Sequence, residues 1–208
     1  MIISHKRKFI YIKTQKTAGT STEIVLEKYC GHNDIITHIT MGDSKTHKPR
    51  NYGGFSTHMQ MKDIKEKIDT DIFNNYYKFM NVRNPWDRVV SSFFHHLKDH
   101  DVSFDEFIKN KINISNPILL PLIDFCDFNL LDGFIRYEHL KEDIFKHMKK
   151  FHIFFDKKWE TIKFPKAKSQ FRTSDNHYTH YYNNKTREIV AEKYAKDIKY
   201  FNYKYYEN

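Results

Sequence analysis

The sequence predicts an α/β fold: a single domain with a central parallel sheet flanked by helices. Three observations carry that prediction. Apolar, β-prone runs at residues 9–12, 76–82 and 133–137 are each followed by a stretch with apolar residues at helical spacing. Strands that alternate with helices favour parallel pairing through right-handed crossovers. The length of 208 residues fills one good core and is short for two.

The first strand and the loop after it organise the rest. Phe9, Ile10, Tyr11 and Ile12 form the strand, and Ala18 and Gly19 then let the backbone approach a ligand closely. Thr20, followed three residues later by Glu23, has the spacing of a capping box and places a helix start there. Unpaired amides at the positive end of a helix dipole, with Lys16 beside them, suit a phosphate or a sulfate. The nucleotide loop G-x-x-x-x-G-K-S/T is absent, because Lys16 precedes Gly19, which counts against ATP or GTP. Many small-residue turns of this kind bind nothing, so the loop alone leaves the ligand open.

Further along, the first helix is expected to stop near Gly31, a plausible C′ glycine. Residues 32–55 are polar, with Gly42, Pro49, Gly53 and Gly54 as breakers, and predict a surface excursion. Residues 59–68 have helical spacing, with His58 just before them. The second strand runs into Arg83, where Asn84 suits an N-cap, Pro85 the first helical position and Asp87 the completion of the cap. Trp86, Val89, Val90, Phe93 and Leu97 then share one helical face. Ser103 and Glu106 are spaced to cap a helical region over 103–126 that Pro117 and Pro121 interrupt. The strand at 133–137 leads into a helix over 138–151, a lysine-rich loop follows over 157–172, and a helix over 186–198 closes the chain.

Thirty-five Lys and Arg against 26 Asp and Glu give a net charge of +9, which points to an anionic partner without naming it. Cys30 and Cys126 stand far apart with no C-x-x-C spacing, so neither a disulfide framework nor a zinc site is indicated. His95, His96 and His100 could share a helix face, but no carboxylate completes a metal set, and they are read as solvated surface. No apolar leader or membrane-length run occurs, and the chain as given reads as cytosolic.

At Val82-Arg83-Asn84-Pro85-Trp86-Asp87-Arg88-Val89-Val90-Ser91-Ser92-Phe93 the sequence resembles the 3′-phosphate-binding element of sulfotransferases, and Lys16-Thr17-Ala18-Gly19-Thr20-Ser21 resembles their 5′-phosphosulfate loop. The chain resembles carbohydrate sulfotransferases and their bacterial homologues, and His58, residues 136–143 and residues 181–203 extend the resemblance over nearly the whole chain. The resemblance implies a P-loop NTPase-like fold that binds 3′-phosphoadenosine 5′-phosphosulfate and transfers its sulfuryl group to an acceptor hydroxyl, a carbohydrate in the nearest relatives. No metal, nucleic acid or membrane span is implied.

On this resemblance Thr17, Ala18, Gly19, Thr20 and Ser21 hold the 5′-phosphate with Lys16, which neutralises charge on the bridging oxygen. Arg83 and Ser91 grip the 3′-phosphate, as a guanidinium and a hydroxyl two turns apart can. His58 is the candidate general base, or else the start of a helix and no more. Tyr137 resembles a residue that approaches the adenine, the alternative being a strand end packed on the sheet. Lys166, Lys168, Ser169 and Arg172 resemble a loop covering the cofactor, or form a solvated charge run. Two other classes compete: a P-loop kinase needing ATP and magnesium, and a non-enzymatic polyanion binder with steep salt dependence. The acceptor site is expected in residues 32–57 and 110–130, where Lys45, Lys48 and Arg50 permit an acidic acceptor.

Overall fold

The computed structural model describes residues 1–39, 47–97, 102–112, 117–152 and 176–206. The chain divides into two compact units, Met1–Val82 with Cys126–Ala167 and Arg83–Phe125 with Lys168–Asn208. Its strands are β1 (Ile2–Ser4), β2 (Phe9–Ile12), β3 (Ile35–Ile36), β4 (Tyr77–Val82) and β5 (Gly133–Arg136). Its helices are α1 (Gly19–Glu27), α2 (Met61–Lys67), α3 (Thr70–Asn75), α4 (Pro85–Leu97), α5 (Phe104–Lys111), α6 (Leu122–Phe125), α7 (Leu140–Lys150), α8 (Asn184–Lys193) and α9 (Ala195–Phe201).

The first unit carries the five strands found among the described residues, in the order β3-β1-β2-β4-β5. β2, β4 and β5 are parallel, with Phe9 opposite Tyr77 and Phe79 opposite Gly133. Every residue of β2 is buried, as expected of a parallel strand covered on both faces. The predicted parallel sheet is therefore present as three strands. Beside it lies an antiparallel margin: β1 pairs with β2, and β3 with β1. With three and two residues, β1 and β3 are too short to show a period. Phe9, Tyr11, Phe79, Ile135, Ile144 and Met148 belong to the core of this unit.

Several local expectations are corrected here. α1 ends at Glu27 with Lys28 as its C-cap, four residues short of Gly31. Gly31 instead donates its N–H to Asp34, whose carboxylate also takes the Ser4 hydroxyl and the N–H groups of His5 and Lys6. Asp34 thus ties the end of α1 to the β1–β2 turn. The excursion at 32–55 contains β3, a bridge from Ile36 to Arg50, and a buried His47. The His47 ring lies 2.6 Å from the Glu27 carboxylate through Nδ1 and 2.8 Å from the Thr37 carbonyl through Nε2. Lys45 falls outside the described residues. The helix after His58 begins only at Met61, and α3 follows it, capped by the Asp69 carboxylate. The helix after β5 begins at Leu140, behind a 3-10 turn at Tyr137–His139.

The second unit is helical, with Trp86, Val89, Val90, Phe93, Phe107, Ile108, Val190 and Tyr194 in its core. The Ser103–Glu106 capping box forms as predicted, and α5 follows it. The closing helix is broken at Tyr194, which ends α8 and begins α9. Tyr194 is fully buried and its hydroxyl donates to the Leu119 carbonyl at 2.7 Å, while Asp197 on α9 accepts the first N–H groups of α6 from Leu122 and Ile123. Those two ties are tertiary, so the apolar stripe of one continuous helix could not announce the break.

Candidate active site

β2 delivers the chain into the loop, and Asn81 on the neighbouring β4 holds that loop in place. The Asn81 side chain is fully buried. Its amide donates to the Thr17 carbonyl and the Thr22 hydroxyl, both at 2.9 Å, and its Oδ1 accepts the Tyr11 hydroxyl at 2.8 Å. Its main-chain carbonyl accepts the Thr14 hydroxyl at 2.6 Å, and Thr14 and Thr17 hydroxyls lie 2.7 Å apart. Burial raises the Tyr11 phenol well above its ordinary pKa of 10.0, which keeps it a donor to Asn81.

Lys16 and Ala18 both sit in the left-handed region, at φ 61° and 64°, with Thr17 between them outside it. Alternation of hand turns successive amides toward one side, the geometry of an anion-binding nest. Ala18 is the N-cap of α1 and brings no side-chain acceptor to its first turn. The Thr20–Glu23 capping box is therefore not formed: Thr20 already lies within α1, and Glu23 is pulled inward to a buried ion pair with Lys13 and to the amine of Met1. The first turn of α1 thus receives no cap from the side chain of its N-cap residue. Glycine is required at 19, because a Cβ there would stand 2.8 Å from Cγ of Lys13 and 3.2 Å from the Thr14 carbonyl.

His58 is brought to this same strand end. Its Nδ1–H donates to the Lys13 carbonyl at 2.9 Å, which leaves Nε2 as the acceptor nitrogen of a neutral ring. Burial lowers the pKa of His58 from 6.5 to about 4, helped by the Lys13 ammonium and opposed by the bond to the Lys13 carbonyl. The ring therefore stays neutral near pH 7 with a fixed tautomer, and the same burial makes Nε2 a weaker base than a free imidazole. Lys16 is half-buried, Thr17, Gly19, Thr20 and Ser21 are buried, and all belong to the first unit with His58.

Arg83, Asn84 and Ser91 lie in the second unit. Asn84 caps α4 as predicted by accepting the Trp86 N–H at 3.1 Å, and Pro85 opens the helix. Asp87, in the first turn of α4, takes the Arg83 guanidinium side-on, with Nε at 2.8 Å and Nη2 at 2.7 Å from one carboxylate oxygen. Arg83 is buried, and the pair fixes its guanidinium at the start of α4, on which Ser91 is half-buried. Tyr137 opens the 3-10 turn after β5 and is 36% exposed, so it is not a packed strand end. Arg172, Lys166, Lys168 and Ser169 lie outside the described residues.

Sequence reasoning passed over Asn81, Lys13 and the inward role of Glu23. A signal existed for the first two: an asparagine inside an otherwise apolar strand, and a lysine directly after one, each need a buried partner. Among the described residues no group of three His, Cys, Asp or Glu side chains is placed to hold a metal ion, and no helix is long and apolar enough to cross a membrane.

A half-parallel sheet flanked by helices, with a strand–loop–helix element after β2, a lysine in that loop and a histidine tethered beside it, defines an α/β protein. The chain belongs to the sulfotransferase family, whose family model, described as Sulfotransferase family, matches residues 1–204. It is also similar to an uncharacterised protein of Archaeoglobus fulgidus, 33% identical over 93 residues that cover 42% of this chain and 77% of that protein. No solved structure matches the chain. Sulfuryl transfer is accordingly its general activity, and the protein is a transferase.

Proposed function

We propose that the protein transfers a sulfuryl group from 3′-phosphoadenosine 5′-phosphosulfate to the hydroxyl of a carbohydrate acceptor on a P-loop-like element. The observation that carries this reading is the shared anchoring of loop and base. The loop that presents α1 and the His58 ring both depend on the end of β2, one through Thr14 and the other through the Lys13 carbonyl. The residues fit such a donor: two left-handed positions and an N-cap without a side-chain acceptor leave amides for a 5′-phosphate. When bound, the donor supplies an activated sulfuryl group and a phosphate leaving group.

The chain's own residues then have distinct tasks. Amides of Thr17, Ala18, Gly19, Thr20 and Ser21 bind the 5′-phosphate, and the Lys16 ammonium lowers the energy of charge growing there. Nε2 of His58 takes the proton of the acceptor hydroxyl, while Nδ1–H keeps the ring in orientation. Arg83, preset by Asp87, and Ser91 bind the 3′-phosphate, Tyr137 offers its exposed ring to the adenine, and Arg172 adds a further cation for the nucleotide. Alignment and electrostatics dominate, as in phosphoryl transfer.

Calorimetry with 3′-phosphoadenosine 5′-phosphate tests the reading: binding is expected without magnesium, and its absence would overturn it. Labelled donor with a panel of oligosaccharides then tests the acceptor. A kinase would require ATP and magnesium and release no sulfated product.

A further inference from the structure

We propose that the first unit carries a second anion site, remote from the loop, that binds an acidic glycan chain. This rests on the carbohydrate-acceptor reading above and extends it from one hydroxyl to a polymer. A cleft of about 460 Å³ is lined by Lys6, Arg7, Lys8, Tyr77, Lys150 and His152, among others. It contains four permanent cations, and no carboxylate lines it among the described residues.

The topology fixes where this cleft lies. Residues 6–8 precede β2, Tyr77 begins β4, and Lys150 ends α7. β2 and β4 are parallel, so the cleft opens at the end of the sheet opposite to the loop that follows β2. The four residues of β2 alone separate the two by about 13 Å at a strand's rise per residue. The cleft is therefore no part of the donor loop.

Its cations are presented in different ways. Lys6 and Lys8 are exposed, and the left-handed backbone of Lys8, at φ 54°, turns the chain sharply at the rim. Lys150 stands over the Tyr77 ring at 4.8 Å and 3.2 Å from its hydroxyl, which positions its ammonium. Nη1 of Arg7 reaches the Phe151 and His152 carbonyls only at 3.5 Å, and its buried Nε has no hydrogen-bond partner among the described residues. Several cations around one groove can pair with the sulfates or carboxylates of a linear glycan, and field focusing by such a groove speeds capture.

The test uses a heparin-derived octasaccharide and the full chain. Lys6→Glu with Lys8→Glu reverses two exposed charges and should lower octasaccharide affinity on the order of tenfold, and flatten its salt dependence. Lys62→Glu with Lys65→Glu, two exposed positions on α2, is the matched control and should change affinity by less than about twofold. Both variants should bind 3′-phosphoadenosine 5′-phosphate like the parent. Equal losses in the two variants would assign binding to the general positive surface and overturn the proposal, as would no loss in the first. Duplex DNA competing as well as the octasaccharide at equal charge would overturn the glycan assignment. Failure of the parent to bind the nucleotide would instead refute the sulfuryl-donor reading and leave the octasaccharide result standing by itself.

Discussion

Replacing Asn81 by alanine should loosen the loop more than it disturbs the core. The fully buried amide serves the Thr17 carbonyl, the Thr22 hydroxyl and the Tyr11 hydroxyl, and no other residue of the described chain makes those three bonds together. At about 1 kcal/mol for each bond lost, the variant forfeits about 3 kcal/mol. For a chain of this size that is a melting-temperature drop of about 6–12 °C. Tyr11→Phe removes the bond to Oδ1 together with the long 3.4 Å contact to the Gly19 carbonyl and should cost about 1 kcal/mol. Since Thr17 and Thr22 bracket the start of α1, affinity for 3′-phosphoadenosine 5′-phosphate should also fall on the order of tenfold in Asn81→Ala. Thermal melts and calorimetry on the two variants and their double mutant measure both effects, and the pair should be non-additive. A drop below about 1 °C with unchanged nucleotide affinity would refute the claim that Asn81 positions the loop.

Three more predictions follow from the site. Lys16→Gly should stabilise the fold by about 1 kcal/mol, because φ 61° strains any side chain, while lowering kcat on the order of a hundredfold; melts and turnover rates check the opposite signs. His58 should leave the acidic limb of kcat/KM near pH 4 instead of 6.5, and that limb should vanish in His58→Ala. Its depressed pKa also bears on stability: the contribution is full above pH 6.5 and is lost as pH falls toward 4, by about 3 kcal/mol in all, which denaturant melts across that range would register. The His47–Glu27 pair acts in the opposite sense at its upper edge. Burial would lower His47, but the Glu27 carboxylate and the Thr37 carbonyl outweigh it and hold the pKa above 6.5. Burial would likewise raise Glu27, but His47, the Lys48 N–H and Arg50 hold it below 4.5. The pair therefore stabilises fully between pH 4.5 and 6.5, and its share is lost as pH rises through the elevated His47 value. His47→Gln should remove that alkaline loss in melts above pH 7.

Much of this arrangement was legible in the order of residue types. The run Phe9–Ile12 before small residues announced strand, turn and helix, and Asn84-Pro85 announced the start of α4. What misled was local spacing with a distant competitor. Thr20 and Glu23 are spaced as a cap, but Lys13 across the turn offers Glu23 a buried ammonium, and Ala18 starts the helix earlier in a left-handed conformation. Asp87 carries a second duty that its place in the first turn of α4 did not announce, an ion pair with Arg83 one turn away, whose buried charge needs a carboxylate. Tyr194 interrupts a stripe that is perfectly periodic, because the break is enforced by bonds to residues far away in sequence.

The acceptor for His58 is the peptide oxygen of residue 13, not a side chain. Every amino acid offers that oxygen, so drift at position 13 cannot by itself untether the imidazole. The side chain of Lys13 can meanwhile change or be retained according to its other duties, the ion pair with Glu23 and the contact beneath Gly19. Backbone and side chain of one residue are thereby exposed to separate selection, and the placement of the imidazole is the part that substitution leaves alone.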